Sequence, residues 1–445
     1  MNKVVHPQIK EMIENRRWNE LRSFAREIPA PDLADILLSL DQADRILFFS
    51  SLPRDISAEV FASLEAQDRD DLLRGLTDEE TRLLLADLPP DDRTELFEDL
   101  PGQVTQRLLN LLNPADLKEA RLLLGFPEES VGRLMTPDYV AVRASWSIAQ
   151  ALEHIRRMGK GSETISTIYV IDEGWRLLDA LEIEVFILSD LDDKVEKIMD
   201  ETFVALSPLD DREQAVRMME RYDIPVLPVV DSQGILLGIV TVDDVLDVAR
   251  EEATEDFHKV GGVTPLRISY REASVWELYL KRIGWLLILV LVNLVSSTII
   301  AAYEEVLAAT IALAFFIPLL IDTGGNTGAQ AASLIVRALA TEDVELNRWF
   351  ETIMKEIGEG LLLGLTMGIA AVTLGYFIAD VSVALVVGVT MLALVLVSNI
   401  VGIALPFVLT RFGLDPAVAS SPLITTIVDA VGLLIYFSVA TLVLI

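Results

Sequence analysis

The stretch IGWLLILVLVNLVSSTIIAA, residues 283–302, contains no charged side chain and is 20 residues long. A helix of that length covers the hydrocarbon thickness of a bilayer. Trp285 stands near its start, where an amphipathic ring anchors a span at the membrane interface. This stretch predicts a membrane-spanning helix, and with it an integral membrane protein.

Four further apolar stretches follow toward the C-terminus. They cover about 306–340, about 357–378, about 383–409 and about 422–445. Polar residues and glycines interrupt the first of these at 322–330. Irregular backbone at membrane depth is tolerated only where it is buried or lines water, so the interruption predicts a close helix approach or an unwound segment. The sequence thus predicts an all-α transmembrane domain of five helices over residues 283–445.

Basic side chains set the orientation of these helices. Lys281 and Arg282 precede the first span. The later bases fall between spans two and three and between spans four and five, at Arg337, Arg348, Lys355 and Arg411. With five helices all these bases lie on one side of the membrane, and loops rich in Lys and Arg stay in the cytoplasm. We therefore expect the N-terminal region inside the cell and the C-terminus outside.

The region before the first span carries most of the charge. Residues 1–282 hold 32 of the 36 basic and 56 of the 68 acidic side chains, and the whole chain has a net charge of −32. Such an acidic region argues against nucleic acid as a partner and suits cations. The chain has no cysteine, which excludes disulfides and thiolate metal sites. No motif for a catalytic nucleophile, a phosphate-binding loop or a catalytic metal occurs here, so we expect no enzyme.

Residues 1–130 show short apolar runs at helical spacing. Leu52-Pro-Arg-Asp55 is repeated as Leu88-Pro-Pro-Asp91, 36 residues later. Such a repeat of short helices predicts an all-α superhelical domain.

A second repeat follows at residues 131–196 and 197–247, each with the pattern β-α-β-β-α. Two such units would pair face to face. Residues 248–282 are charged and amphipathic, and they predict a linker helix leading into the membrane. The chain is therefore predicted to be a multidomain membrane protein.

These stretches resemble a known family. GIVTVDD at 238–244 is typical of CBS domains, so the α/β repeats resemble a tandem CBS pair. PLLIDTGGNTGAQ at 318–330 and PLITTIVDA at 422–430 resemble the second and fifth membrane helices of MgtE-type magnesium channels. EEATED at 251–256 resembles the plug helix of that family. The similarity covers essentially the whole chain in order.

The resemblance implies a homodimeric Mg²⁺ channel in the inner membrane of a bacterium or archaeon. Mg²⁺ would be both the cargo and the regulator, closing the pore when it binds acidic groups of the cytoplasmic domains. ATP or another adenosine nucleotide is a further ligand that the CBS pair implies. The alternative is a membrane-anchored CBS nucleotide sensor without transport activity. An acidic residue inside a span argues against it, because an anchor needs none.

Asp429 is the predicted ion ligand of the pore. An ionised carboxylate in a span costs several kcal/mol unless it faces water, a partner or an ion. On a helical wheel Asp429 shares one face with Ser421, Thr425, Gly432 and Tyr436, which predicts a polar seam along the fifth helix. The alternative is a structural aspartate that bonds a neighbouring helix.

The predicted supporting residues of the pore lie mostly in the second span. They are Asp322, Gly324, Gly325, Asn326, Gly328 and Gln330, with Asn399 and Thr425 from later spans. The polar members supply oxygen ligands or interhelical hydrogen bonds, and a packing kink without ion contact is the alternative. Asn399 either lines the pore or bonds a neighbouring helix.

Crowded carboxylates before the membrane predict a cation sensor. Glu252, Glu255 and Asp256 share one helix face, where like charges repel and a cation would relieve the repulsion. A solvated helix face is the alternative. Asp243, Asp244 and Asp247 belong to the same run of carboxylates. The resemblance implies further sensor residues at Glu59, Asp91, Asp211, Glu213, Asp223 and Asp415.

Thr241 and Asp244 match the positions by which CBS domains often hold a nucleotide ribose. Their equivalents in the first repeat are Glu182 and Val185, which cannot do so. At most one nucleotide cleft is therefore predicted, and Asp244 is also a candidate Mg²⁺ ligand.

Overall fold

The structure is a computed structural model that describes residues 9–266, 270, 273–341, 343–344 and 346–444. The chain divides into two compact units, with the boundary between Arg250 and Glu251. The first unit holds the short N-terminal helices and the two strand-containing repeats. The second unit holds the long apolar helices.

The N-terminal region consists of short helices with tight connections. They are α1 (Trp18–Ala25), α2 (Ala30–Ser39), α3 (Gln42–Ser51), α4 (Arg54–Ala62), α5 (Ala66–Gly75), α6 (Asp78–Asp87), α7 (Pro90–Asp99), α8 (Gly102–Leu109) and α9 (Pro114–Leu123). Leu52 and Leu88, the leucines of the repeated motif, each end a helix with extended backbone and are at most 7% exposed. Pro53 and Pro89 follow them and cap the next helix, because proline disfavours helix for the residue before it. The predicted helical N domain is confirmed.

The first repeat has the predicted order of elements. After the short helix α10 (Val131–Leu134) come β1 (Ala141–Arg143), α11 (Ile148–Met158), β2 (Thr167–Ile171), β3 (Leu177–Glu182) and α12 (Ile183–Leu188). Strand β2 is the middle of the sheet, parallel to β1 and antiparallel to β3. Every residue of β2 is buried, as expected of a central strand covered on both faces.

The second repeat keeps the order but loses most of its first strand. It contains α13 (Arg212–Tyr222), β4 (Val226–Val230) and β5 (Leu236–Thr241), with β4 and β5 antiparallel. In place of a first strand, a single parallel bridge joins Leu206 to Val229. Side chains of the two repeats share one core, formed by Tyr169, Ile171, Leu177, Val226, Leu236 and Ile239.

A long helix, α14 (Val242–Val260), follows β5 directly. The predicted boundary between residues 247 and 248 therefore falls inside a continuous helix. The linker after α14 includes residues 267–269, 271 and 272, which lie outside the described part of the chain.

Five helices of the described residues are long and apolar enough to cross a membrane. They are α15 (Val275–Ala302), α17 (Ile317–Ala340, which continues a 3₁₀ segment so that the span is Ile311–Ala340), α18 (Trp349–Ile378), α19 (Val381–Arg411) and α20 (Ser421–Leu444). The short helix α16 (Glu304–Ala309) and a 3₁₀ segment (Ile311–Phe316) connect α15 to α17. Residues 322–330, where polar residues and glycines interrupt the apolar second span, are helical throughout, so the backbone does not unwind there.

Candidate ion pathway and regulatory carboxylates

Asp429 lies in the middle third of α20, and its side chain is half-buried within the second unit. Its Oδ1 atom is buried and has no hydrogen-bond partner in the described part of the chain. A buried carboxylate oxygen without a donor is costly, and in a membrane span that cost points to an ion, a water or a partner subunit. Among the described residues, no hydrogen bond joins Asp429 Oδ1 to a neighbouring helix, so the alternative of a structural aspartate gains no support at that atom.

The glycines of α17 let it approach α20 closely. A Cβ atom on Gly324 would lie 2.9 Å from Cγ1 of Val428, and one on Gly325 would lie 2.7 Å from Cγ2 of Thr425. Real Cβ atoms essentially never come this close to another atom, so a larger residue at either position would force Val428 or Thr425 to shift. The glycines therefore serve helix packing next to Asp429, and the unwound segment that the sequence also allowed does not form.

The polar residues of α17 lie on a different face from these glycines. Asp322, Asn326 and Gln330 recur at intervals of four and are all exposed in this chain. Ser333 and Arg337 continue this stripe and are exposed as well. We call these five residues the polar stripe of α17. Lipid cannot solvate such a stripe, so a water-filled path or another protein surface must face it.

The polar seam predicted along α20 is wrong in its C-terminal half. The Tyr436 hydroxyl is buried and donates to the Leu313 carbonyl at 2.9 Å. Gly432 is buried, and a Cβ there would lie 2.8 Å from Leu394. Both positions pack inside the helix bundle, so the polar face of α20 extends only as far as Asp429.

Asn399 and Thr425 take packing positions. Asn399 is 2% exposed on α19, and a Cβ on Gly360 of α18 would lie 3.3 Å from its Nδ2 atom. It therefore faces the neighbouring helix, in line with the second of the two roles that the sequence left open. Thr425 donates its hydroxyl to the Ser421 carbonyl at 2.9 Å, and its methyl group faces Gly325.

In the first unit, the structure brings Asp91 and Asp244 together. Asp91 is in the first turn of α7 and 8% exposed, and its Oδ1 atom has no hydrogen-bond partner among the described residues. Burial raises the pKa of Asp91 well above its usual range, and the nearby Asp244 carboxylate raises it further. Burial likewise raises the pKa of Asp244 to about 8, with the adjacent Asp243 adding to the shift. The two predicted sensor residues therefore share one poorly solvated site, in which burial and their mutual repulsion disfavour the charged forms.

Sequence reasoning missed two members of this site, Asp92 and Glu163, and named a third, Asp243, only as part of the acidic run before the membrane. Burial raises the pKa of Asp92 to about 6, and Glu163 and Asp243 add repulsion to it. Glu163 comes from the loop between α11 and β2, far in sequence from both α7 and α14. No local pattern marks Glu163, whereas Asp92 and Asp243 directly neighbour predicted ligands. We call Asp91, Asp92, Glu163, Asp243 and Asp244 the acidic patch.

The acidic patch suits an oxygen-preferring cation in its chemistry. All its members offer carboxylate oxygens, and Asp91 Oδ1 is buried and lacks a donor. Hard divalent cations such as Mg²⁺ take such ligands. Among the described residues, however, no three acidic or histidine side chains converge closely enough to form a ready metal cage.

Four other predicted sensor residues lie elsewhere in the first unit. Asp211 caps α13 by accepting from the Glu213 backbone, and Glu213 pairs with Arg217 at 2.9 Å. Asp223 ends the same helix in the left-handed conformation, with φ of 53°. Glu59 is exposed on α4. These four are not brought to the acidic patch.

Asp247 lies on α14. Burial raises the pKa of Glu95 of α7, and the charge of Asp247 raises it further.

In the second unit, Asp415 and Glu255 both pair with one cation, the side chain of Lys259. Lys259 Nζ donates to Asp415 Oδ2 at 2.6 Å and also pairs with Glu255, one turn earlier on α14. Burial opposes the charge of Lys259, yet the two carboxylates outweigh it and raise its pKa. Both acids were predicted sensor residues, but sequence reasoning did not identify the lysine between them. Glu252 and Asp256 lie on the same helix and are both half-buried.

Thr241 and Asp244 stand together at the junction of β5 and α14. The Thr241 hydroxyl donates to Asp244 Oδ2 at 3.0 Å. Glu182 occupies the equivalent junction of β3 and α12 and is exposed. The two junctions therefore differ in the polar groups that they offer a ligand.

Comparison with known proteins identifies the family. The model of the MgtE divalent cation transporters matches residues 317–439, that of the MgtE intracellular N domain matches residues 28–129, and that of CBS domains matches residues 131–181 and 195–251. The magnesium transporter MgtE of Thermus thermophilus is 47% identical over 73% of this chain and 72% of its own length. The chain belongs to the MgtE family. The resemblance predicted from the sequence is thus confirmed.

Further relatives agree with this MgtE assignment. The magnesium transporter MgtE of Bacillus subtilis is 32% identical over 74% of this chain and 72% of its own length. The first unit of this MgtE chain has solved counterparts. A cytosolic domain of the Mg²⁺ channel MgtE in complex with ATP is 35% identical, with a TM-score of 0.52, and covers 55% of this chain and 99% of its own. The soluble part of a magnesium transporter is 26% identical, with a TM-score of 0.54, over 57% of this chain and 100% of its own.

Proposed function

We propose that this MgtE-family protein transports Mg²⁺ through its second unit and that Asp429 is the carboxylate that the ion meets in the membrane. The observation that carries the proposal is the buried Asp429 Oδ1 atom, which has no hydrogen-bond partner in the described part of the chain. Relatives at 47% and 32% identity are named magnesium transporters, which supports Mg²⁺ as the cargo. A transporter, rather than an enzyme, also fits the lack of catalytic motifs in the sequence.

The chemistry of the site suits a hydrated ion. Mg²⁺ releases its waters reluctantly and requires octahedral order, so one carboxylate holds it best through its water shell. Among the described residues, Asp429 is not part of a group of three or more acidic or histidine side chains, which leaves room for the water shell of the ion. The glycines Gly324 and Gly325 let α17 pack tightly against the helix that carries Asp429. This close packing holds the Asp429 carboxylate in a fixed position.

A homodimer is the assembly that the exposed polar groups support. The polar stripe of α17 lies on the outside of a single chain, where lipid would otherwise contact it. A second copy related by two-fold symmetry would cover the stripe or enclose a water path beside it. We therefore expect two copies of Asp429 per transporter, in the inner membrane of a bacterium or archaeon. The positions of the basic residues support a cytoplasmic first unit and an external C-terminus.

Regulation by Mg²⁺ is supported by the acidic patch. Five carboxylates crowd there, and burial together with mutual repulsion raises the pKa of Asp91, Asp92 and Asp244. A cation that binds the patch would relieve that repulsion and favour the compact arrangement of the first unit. We propose that Mg²⁺ binding there, and at the plug helix α14, closes the transporter when cytoplasmic Mg²⁺ is plentiful.

Purified protein in liposomes that contain a Mg²⁺-sensitive dye tests the transport proposal. Asp429→Asn keeps the size of the side chain and removes its charge, so we expect Mg²⁺ influx to fall at least tenfold. Asp380→Asn is the matched control, because Asp380 caps α19 through the Val383 backbone at 2.9 Å and asparagine also caps helices. Influx through the Asp429→Asn variant at the rate of the control variant would refute the role of Asp429.

Nucleotide binding is a second function, supported by the solved relative that contains ATP. We propose that Thr241 and Asp244 contribute to an adenosine-nucleotide site in the CBS pair, with one cleft rather than two. ATP should raise the melting temperature of wild-type protein in a concentration-dependent manner, and Thr241→Val should weaken that shift. The liposome assay also tests the alternative of an anchored sensor, which predicts nucleotide binding with no Mg²⁺ flux.

A further inference from the structure

Lys259 lies between two carboxylates that come from distant parts of the second unit. Its Nζ atom donates to Asp415 Oδ2 at 2.6 Å and pairs with Glu255, four residues earlier on α14. The three side chains are only 25–33% exposed, so water screens them less than it screens an ordinary surface pair. One ammonium group thus balances two acids that would otherwise repel each other.

The bond to Asp415 reaches the segment that leads into the pore helix. Asp415 Oδ1 accepts from the Ala417 backbone at 2.7 Å and caps a 3₁₀ turn, Pro416–Val418. Helix α20, which carries Asp429, begins three residues after that turn. A change in the position of Asp415 is therefore transmitted over a short, hydrogen-bonded stretch of chain.

The turn after α14 is held at a second point. Gly262 has φ of 69°, and a Cβ atom there would lie 2.6 Å from Trp285 Nε1 and 3.5 Å from Pro422 Cγ. Only glycine combines this conformation with such a close approach to α15 and to the first turn of α20. The end of α14 is thus seated on the membrane helices, which fixes the point from which the Lys259 side chain extends.

We propose that Lys259 is a tethered counter-ion that keeps the end of α14 beside the start of the pore helix and the transporter partly closed when Mg²⁺ is scarce, and that Mg²⁺ replaces it at Glu255 and Asp415 and completes the closure. The ammonium group carries one charge on a flexible stem and can leave without unfolding the helix. A divalent ion brings twice the charge to the same two carboxylates. This inference rests on the proposed transport and its regulation by Mg²⁺, and it assigns to the lysine the setting of the closing threshold.

The first test measures Mg²⁺ influx into liposomes as the concentration of Mg²⁺ on the cytoplasmic face is varied. In Lys259→Gln the two acids lose their cation, so the closed arrangement weakens and influx at low Mg²⁺ rises about two- to fivefold, the range expected of one partly exposed ion pair. Saturating Mg²⁺ still closes this variant, which makes its dependence on Mg²⁺ steeper than that of wild type. Lys259→Arg keeps the charge and should restore the wild-type curve.

Lys197→Gln is the matched control, because Lys197 pairs with Asp193 at 2.6 Å on an exposed surface of the first unit. Its curve should coincide with that of wild type. A Lys259→Gln curve that coincides with both would overturn the proposal. So would a rise in influx that Lys259→Arg shares, because the loss of shape rather than of charge would then explain it.

A second measurement needs no variant and no transport. A water-soluble carbodiimide joins an ammonium group to a contacting carboxylate as an amide, and the product is found by mass spectrometry of the digested protein. We expect an amide from Lys259 to Asp415 or Glu255 in Mg²⁺-free wild-type protein, with a yield that falls as Mg²⁺ is added. No amide, or a yield indifferent to Mg²⁺, overturns the proposal. If wild-type protein transported no Mg²⁺ in liposomes, only the proposed transport would be refuted. The amide yield would still decide the role of Lys259.

Discussion

Asp244→Asn should stabilise the first unit in the absence of Mg²⁺. The Asp244 carboxyl is half-buried in the acidic patch, and burial followed by repulsion from Asp243 raises its pKa from 3.8 to about 8. At neutral pH the folded protein therefore holds a proton that the unfolded chain releases. Asparagine removes that requirement and keeps an oxygen that can accept the Thr241 hydroxyl, which donates to Asp244 at 3.0 Å.

The size of the effect follows from the pKa difference. Each pKa unit is worth about 1.4 kcal/mol. At pH 7 only the interval between the unfolded pKa of 3.8 and the pH counts, which amounts to at most about 4 kcal/mol of unfolding free energy. Water that reaches the half-buried carboxyl reduces this, and roughly 2 kcal/mol is expected. For a unit of this size, that corresponds to a rise in melting temperature of about 4–8 °C.

The effect has a defined pH window. Below the unfolded pKa of 3.8 both states are protonated, and Asp244 does not change the free energy of unfolding. Between that value and about 8 the folded state binds more protons, so the stability of wild type falls as the pH rises. The advantage of Asp244→Asn should therefore grow from near zero at pH 4 to its full value at pH 8.

Thermal melts of a fragment ending after α14 measure this directly, and solved soluble parts of relatives indicate that such a fragment folds. Mg²⁺ should stabilise wild type, by about 2.7 kcal/mol at a hundredfold excess over its Kd, and should stabilise Asp244→Asn much less. Asp192→Asn, an exposed position outside the acidic patch, is the control. A lower melting temperature for Asp244→Asn than for this control at pH 7.5 without Mg²⁺ would refute the reasoning.

Three further predictions concern helix packing and buried hydrogen bonds. Gly402→Ala would place a Cβ 2.3 Å from the Gly328 carbonyl oxygen and should cost about 1–3 kcal/mol of stability, measured as a lower melting temperature in detergent. Gly358→Ala is the control, because open space surrounds that position and the melting temperature should change little. Asp179→Ala should destabilise the CBS pair by about 2–4 kcal/mol in urea unfolding. The fully buried Asp179 carboxylate accepts hydrogen bonds from the backbone amides of residues 200 and 201 at 2.9 and 3.1 Å. An unchanged unfolding midpoint would contradict this prediction. Tyr436→Phe removes one buried hydrogen bond, so it should lower the melting temperature slightly and leave Mg²⁺ influx near wild type. A loss of influx comparable to that of the Asp429→Asn variant would instead show that Tyr436 contributes to the ion pathway.

The local pattern of the sequence was sufficient for the architecture. Length and hydropathy are local properties, so all five spans were predicted, although α15 and α18 begin eight residues earlier and α17 eleven residues later than predicted. The helical N domain and the strand order of the first repeat also follow from local periodicity. Asp429 could be singled out because a carboxylate in an apolar span is conspicuous without any knowledge of its neighbours.

The same local reasoning failed where neighbours decide. Glycines at Gly324, Gly325 and Gly328 are equally compatible with unwinding and with close packing, and only the positions of α19 and α20 show that they pack. The helical wheel placed Tyr436 on the face of Asp429, but a wheel does not say what lies opposite, and the Leu313 carbonyl takes the hydroxyl.

What the sequence by itself determined is therefore the kind of protein: an acidic region of helices and CBS repeats, five spans, and one carboxylate in the last of them. Only the tertiary structure decided which charges act together. Glu163 joins Asp91 and Asp244, and Lys259 joins Glu255 and Asp415, across separations that no sequence period can encode. The physical reason is that hydropathy and helix formation are local properties of the chain, whereas burial and electrostatic coupling depend on distances that exist only after folding.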